Sequence, residues 1–368
     1  MMNLSEALPA FISFLTSLVI AWTAMPFVIR FANKRQLFDI PDGRKLHDDN
    51  ISRIGGIAIM FSVIVSISLF IDTEALPSYG FLIAGTVIIF FVGLLDDMYP
   101  IKPFQKLIGE FIPASLLVIA GKETLTHLNG LFGIHGLPEW LSIFLTFILV
   151  LAVVNSFNLI DGINGLAGIC GLIISLSAGI MALYFHQINL AVIALSLAGG
   201  IVAFLRFNLI KPRIFMGDSG SLLIGYMSAF LILSLINVPT FTSDSADYQS
   251  FSTLLHNRMF LFVLSALIVP LTDLSRVFVI RLIKGKSPFT ADRNHIHHIL
   301  LELGCSHFSA SIILGLFSLF NIGIFFLCLN TDINTHIIVL LFVSLLLATM
   351  PKALLLFRKQ AESKEATF

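Results

Sequence analysis

The chain has 368 residues, of which 57% are hydrophobic and only 12% charged, with a formal net charge of zero and a mean hydropathy of +0.95. That balance excludes a soluble domain and gives no reason to expect nucleic acid as a partner. Cys170, Cys305 and Cys328 are odd in number and lack metal-ligand spacing, which excludes a disulfide framework and a zinc site built on cysteine.

The first apolar run, from about Ala10 to Ile29, follows no basic leader and is longer than a signal-peptide core, so it is read as a retained membrane span. Runs of crossing length then recur near 54–72, 79–95, 104–121, 138–156, 163–185, 187–206, 219–238, 259–280, 307–329 and 335–357, the first covering 8–30. They predict an all-α polytopic membrane protein of about eleven helices, one integral domain over 1–368. With the N-terminus outside, every Lys and Arg except Lys122 and Arg258 falls on the inner side. Short-loop basic bias sets orientation, so the C-terminus is expected in the cytoplasm. No soluble domain is left over. Chemistry must come from inner helix ends and the cytoplasmic segments 31–53, 96–106, 155–164, 206–219 and 281–306.

Five polar clusters occupy those segments. The first holds Asp39, Pro41, Arg44, Lys45 and His47, then Arg53, Gly55 and Gly56; its bases suit an anionic phosphate, as they also suit any positive-inside loop. The second is Asp96 and Asp97, adjacent at the inner end of the third helix, with Lys106 and Glu110 opening the fourth. Two neighbouring carboxylates at a helix C-terminus need a cation, a proton or a basic partner. Glu110 lies one turn from Lys106 and can pair with it. The third is Asn155, Asn158, Asp161 and Asn164, spaced by three so that their oxygens share one helical face or its unwound end, able to hold magnesium or a nucleotide. The fourth runs from Asn208 to Ser221 with Arg213, Phe215, Met216, Gly217, Asp218 and Ser219. Asp218 reads as a helix N-cap, a metal ligand, or both. The fifth follows the ninth helix, with Asp273, Arg276 and Arg281, then Ser287, Pro288, Phe289, Asp292, Arg293, His295, His297 and His298. Without a fourth ligand the histidines read as pyrophosphate contacts or proton carriers rather than a zinc site.

The ordered set, from Asp39 to His298, resembles the polyprenyl-phosphate N-acetylhexosamine-1-phosphate transferase family, relatives of the peptidoglycan precursor translocase. Asn158 to Gly165, Phe215 to Ser219 and Ser287 to His298 are similar to its signature blocks. The sequence His295-Ile296-His297-His298 follows the amino-sugar branch, where the peptidoglycan branch has three contiguous histidines, and Asn164 stands where many relatives have aspartate. The resemblance implies transfer of a sugar-1-phosphate from a UDP-N-acetylhexosamine, N-acetylglucosamine foremost, to undecaprenyl phosphate at the inner membrane of a bacterium. UMP is released, with magnesium, or manganese in its place, as cofactor. It implies Asp218 as metal ligand, with Asn158 a second ligand or nucleotide contact. Asp96 and Asp97 would handle the lipid phosphate. Lys106, Asp161, His295, His297 and His298 complete the catalytic set. Arg44, Lys45, His47, Asn155, Asn158, Asn164, Asn208, Phe215 and Arg293 would bind substrate, Phe215 beside the uracil. A homodimer is compatible with the resemblance. The alternatives are a translocase taking UDP-muramoyl-pentapeptide and a secondary transporter, whose site would lie at mid-bilayer rather than at one face.

Overall fold

The computed structural model describes residues 4–35, 51–74, 76, 78–99, 101–239, 246–285, 287 and 294–365. Asp39, Pro41, Arg44, Lys45, His47, Pro288, Phe289, Asp292 and Arg293 lie outside the described residues. The apolar runs become helices in the order that hydropathy lays out. These are α1 (Leu4–Arg35), α2 (Gly56–Phe70), α3 (Tyr79–Met98) and α4 (Pro103–Ser115), which a π-helical turn (Leu116–Ala120) continues. A hairpin of β1 (His127–Leu131) and β2 (Ile134–Gly136) precedes α5 (Glu139–Ile160), α6 (Leu166–Tyr184), α7 (Ile188–Asn208) and α8 (Gly217–Ile236). The chain ends with α9 (Ala246–Asn257), α10 (Met259–Ala266), α11 (Ile268–Ile283), α12 (Ile296–Glu302), α13 (His307–Leu327) and α14 (Ile333–Glu365).

Nine helices among the described residues are long and apolar enough to cross a membrane, or ten if α10 and α11, bent by 71°, count as one span. This is a multi-pass membrane protein, with fewer full spans than the expected eleven. The second expected span, α2, has 15 residues. Its length of about 22 Å falls short of a hydrocarbon core of about 30 Å. The ninth is broken because Pro270 lacks an N–H and its ring crowds the carbonyl of Ala266, where α10 stops. The expectation of an all-α chain is also corrected: β1 and β2 pair antiparallel. They belong to the end of the bundle where Thr126 meets Asn237, just past the C-terminus of α8. Much of the sequence taken as inner loop is helix, including Asn155 and Asn158 on α5.

Helix α8 is the axis of the bundle. It is buried along nearly its whole length and packs against α2, α3, α5, α6, α7 and α10. Glycine permits the closest approaches at its N-terminal end. A Cβ on Gly93 of α3 would lie 2.4 Å from the Asp218 carbonyl oxygen, and one on Gly56 would lie 2.4 Å from the Gly220 nitrogen. Both obstacles are backbone, so neither can rotate aside. Gly93→Ala is therefore expected to part α3 from α8 and cost about 1–3 kcal/mol, read as a lower melting temperature of the detergent-solubilised protein. Gly80→Ala, with nothing within 4 Å of the added methyl, should leave it unchanged.

Candidate active site

The first turn of α8 is held from two directions. The segment before α2 pairs with the segment before α8: the Phe215 N–H donates to the Ser52 carbonyl (2.8 Å), and the Gly55 and Gly56 N–H groups donate to the carbonyls of Phe215 (3.0 Å) and Met216 (3.1 Å). Gly217, at φ +72°, then turns the chain into α8, a conformation that suits glycine. From α3, the Asp97 carboxylate accepts the backbone N–H of Asp218 (2.8 Å) and of Ser219 (2.9 Å). Helix N-terminal N–H groups lack partners within their own helix and favour negative charge. The capping function read at Asp218 thus falls to Asp97, 121 residues away. This also explains why an acidic pair ends α3: Asp97 faces another helix's positive end.

Lys106 is the hub. Its ammonium donates to Asp96 Oδ2 (2.9 Å), to Asn158 Oδ1 (3.1 Å) and to Asp218 Oδ2. One cation, from the first turns of α4, thereby gathers the end of α3, the last turns of α5 and the start of α8. Asp96 Oδ1 accepts the Ile101 N–H (2.9 Å), and Asn158 Nδ2 donates to Ser221 (3.2 Å). The expected Lys106–Glu110 pair gives way to a different one: the Asn155 amide donates to Glu110 Oε2 (2.5 Å) and to the Leu151 carbonyl. Asn155 is thus engaged one turn deeper along α5 than Asn158. Glu110 and Ser221 join the site although their sequence context gave no hint of these partners.

Asp161 follows the last turn of α5. Burial, then the Asp218 and Asp97 carboxylates, push its pKa well above the usual carboxylate range, against the pull of Arg53. Asp161 therefore looks into the same field as the Lys106 cluster. Behind it, Gly162 lies against the histidine block: a Cβ there would sit 2.4 Å from His297 Nε2. His295 and His297 stack with ring centroids 5.3 Å apart, and His298 lies 4.4 Å from His297. The residues expected to converge do so for Asp96, Asp97, Lys106, Asn158 and Asp218 directly, and for Asp161 and the histidines as an adjoining wall. Asn208 instead supports the turn by donating to the Ile214 carbonyl, and the Asn164 backbone carbonyl accepts from Ser311 on α13. Phe215 is half-buried in the strap before α8. Arg53, which the sequence places in a basic loop, acts electrostatically on the Asp161 carboxylate.

His297 supplies a pH signature. Burial, joined by the neighbouring imidazoles of His298, His295 and His307, holds its pKa down to about 3 despite the Asp273 carboxylate. An unfolded histidine titrates near 6.5, so between these values the unfolded chain binds the proton that the folded one refuses. The contribution is complete above about pH 6.5 and is lost as pH falls towards about 3. Melting temperature should fall with pH over that window, less steeply in His297→Gln.

Two carboxylates and an amide oxygen converging on one cation make a hard-oxygen donor set. It fits a divalent ion held by Asp218 and Asn158, with Asp96 adjacent. The fold and site together define a multi-pass membrane protein whose acid, amide and basic groups meet at the ends of four helices. The model of glycosyl transferase family 4 matches residues 79–236, from α3 to the end of α8. The chain is 32% identical to the decaprenyl-phosphate N-acetylglucosaminephosphotransferase of Mycobacterium leprae, over 80% of this chain and 77% of that protein. It is 30% identical to the probable undecaprenyl-phosphate N-acetylglucosaminyl 1-phosphate transferase of Bacillus subtilis, over 80% and 78%. With the undecaprenyl-phosphate alpha-N-acetylglucosaminyl 1-phosphate transferase of Escherichia coli K12 the identity is 27%, over 79% and 76%. The chain belongs to glycosyl transferase family 4 and is an enzyme of the sugar-1-phosphate transferase type.

Proposed function

We propose that this enzyme moves N-acetylglucosamine-1-phosphate from UDP-N-acetylglucosamine to undecaprenyl phosphate on the cytoplasmic side of a bacterial inner membrane. The names of its relatives support transfer of an N-acetylglucosamine phosphate to a polyprenyl phosphate, undecaprenyl in two of them and decaprenyl in the third, and the one-sided distribution of Lys and Arg supports the orientation. The observation that carries the reading is the convergence of Asp96, Asn158 and Asp218 on Lys106 at the ends of α3, α4, α5 and α8. A water-soluble diphosphate and a lipid phosphate can meet only at such an interface.

Phosphoryl transfer asks the protein mainly for alignment and charge neutralisation. An oxygen of the lipid phosphate attacks the β-phosphorus of the nucleotide, the bond to the bridging oxygen breaks, and UMP leaves with that oxygen. Asp218 and Asn158 would hold magnesium, which would supply charge neutralisation at the diphosphate. Lys106 neutralises the charge that grows on the phosphate oxygens. Asp96 keeps the attacking phosphate deprotonated, while Asp97 fixes the start of α8 and so the place of Asp218. Asp161, His295, His297 and His298 form the wall over the sugar nucleotide, and Arg44, Lys45, His47 and Arg293 are assigned to binding its phosphates. Phe215 sits beside the uracil.

Purified protein given UDP-N-acetylglucosamine should release UMP only when both polyprenyl phosphate and magnesium are supplied. Release without the lipid, or turnover of UDP-muramoyl-pentapeptide in preference, would overturn the assignment.

A further inference from the structure

Asp273 stands on α11 within a predominantly apolar run, almost wholly buried. Its two oxygens both serve the histidine block: Oδ1 accepts the Ile296 N–H (2.7 Å), and Oδ2 lies 2.7 Å from His295 Nδ1. One turn on, the Arg276 guanidinium donates to the carbonyls of Asn294 and, at 2.7 Å, Ala348 of α14. The approach to His295 is therefore clamped on both sides. A carboxylate is an acceptor only, so the proton of the His295–Asp273 bond sits on Nδ1. The other ring nitrogen, Nε2, is then left as the lone pair of the neutral imidazole, or as the second N–H of its cation. The ring stacks within 16° of parallel on His297, whose Nε2 makes no hydrogen bond and abuts Gly162, next to Asp161.

We propose that Asp273 is a positioning residue: its carboxylate fixes the tautomer and orientation of His295, so that Nε2 is presented to the phosphate oxygens of the bound nucleotide. The couple rests on the reading of the site given above. A metal ion bridging Asp273, His295 and His297 is the competing arrangement, since one ligand atom from each lies within 4.8 Å of the others. The 2.7 Å separation of Oδ2 and Nδ1 is that of a hydrogen bond. Two ligands on a tetrahedral ion with bonds of about 2.0 Å stand about 3.3 Å apart.

Asp273→Asn discriminates. The amide oxygen can still accept the Ile296 N–H, while its NH2 group faces Nδ1 and forces the proton to Nε2. Turnover should fall about 100-fold to 10,000-fold, with KM for the UDP-sugar and the melting temperature little changed. In a His295→Gln background the same substitution should change turnover less than about twofold, because its effect passes through His295. Asp273→Glu keeps the carboxylate and should retain far more turnover than Asp273→Asn. If the Asn variant fails to fold, Asp273→Glu with and without His295→Gln completes the cycle. Nitrogen-15 NMR of histidine-labelled protein reads the couple without activity, His295 being assigned by its loss in His295→Gln. Nδ1 should carry the proton in the native protein. A proton on Nε2 alone would overturn the couple. So would multiplicative losses in the double variant, or stoichiometric zinc in native protein that is lost in Asp273→Asn. Absence of UMP release by native protein, with the NMR result intact, would sink the functional reading and leave the couple standing.

Discussion

Lys106→Ala is expected to lower UMP release about 100-fold to 1,000-fold, comparable to losing a charge-stabilising donor in a preorganised site. The variant also leaves Asp96 and Asp218, which now share the Lys106 ammonium, facing each other without a cation. The pairs are partly buried, and removing the ammonium forfeits charge-assisted hydrogen bonds worth about 1.5–3 kcal/mol, so the melting temperature should fall too. The same geometry predicts a partial recovery: millimolar magnesium should raise the variant's melting temperature more than the native protein's, because the ion takes over part of the charge balance. Lys106→Arg should not restore turnover, since a planar fork cannot make the three-way contact of a compact ammonium. Rates with and without magnesium, read beside thermal unfolding, check the whole set.

The second large effect is expected at Asp97. Both its oxygens are occupied by N–H groups of α8; Asp97→Ala leaves these two buried donors unpaired and releases the turn that carries Asp218. Each orphaned group costs about 1–3 kcal/mol, and turnover should drop at least 100-fold. A residue whose main work is to place Asp218 has a particular kinetic signature. Asp97→Asn should raise the magnesium concentration needed for half-maximal rate more than it lowers the rate at saturating magnesium. The opposite split, an unchanged magnesium requirement with a collapsed maximal rate, would instead make Asp97 the group that contacts the lipid phosphate.

The helical scaffold was legible because long apolar runs can satisfy their backbone only as helices, and each predicted span overlaps a helix or helix pair. Its exceptions had local signals. Pro270 marked the break between α10 and α11, and Asn129-Gly130 with Gly133 marked the hairpin, where Gly130 and Gly133 adopt φ +92° and +79°. Asp96, Lys106, Asn158 and Asp218 were legible as chemistry because polar groups at a membrane's edge need partners. Which partners they take was not. Asp97 reaches α8 across 121 residues, and Asp273 reaches His295 across 22 within one cluster; nothing in the residues flanking either aspartate specifies the other end. Glu110 shows the cost of local reading: Lys106 one turn away was the natural partner, yet packing gives Glu110 to Asn155 and reserves Lys106 for three oxygens.

The most direct measurement follows two phosphorus labels. UDP-N-acetylglucosamine carrying distinguishable isotopes at its α- and β-phosphorus is turned over with polyprenyl phosphate by the native enzyme and by Asp218→Asn. The β-label should pass into the lipid phase with the sugar while the α-label stays in water as UMP, and the variant should move neither. Recovery of both labels in water as UDP would mean that the sugar alone is transferred, and attack on the β-phosphorus at this helix-end site would be contradicted.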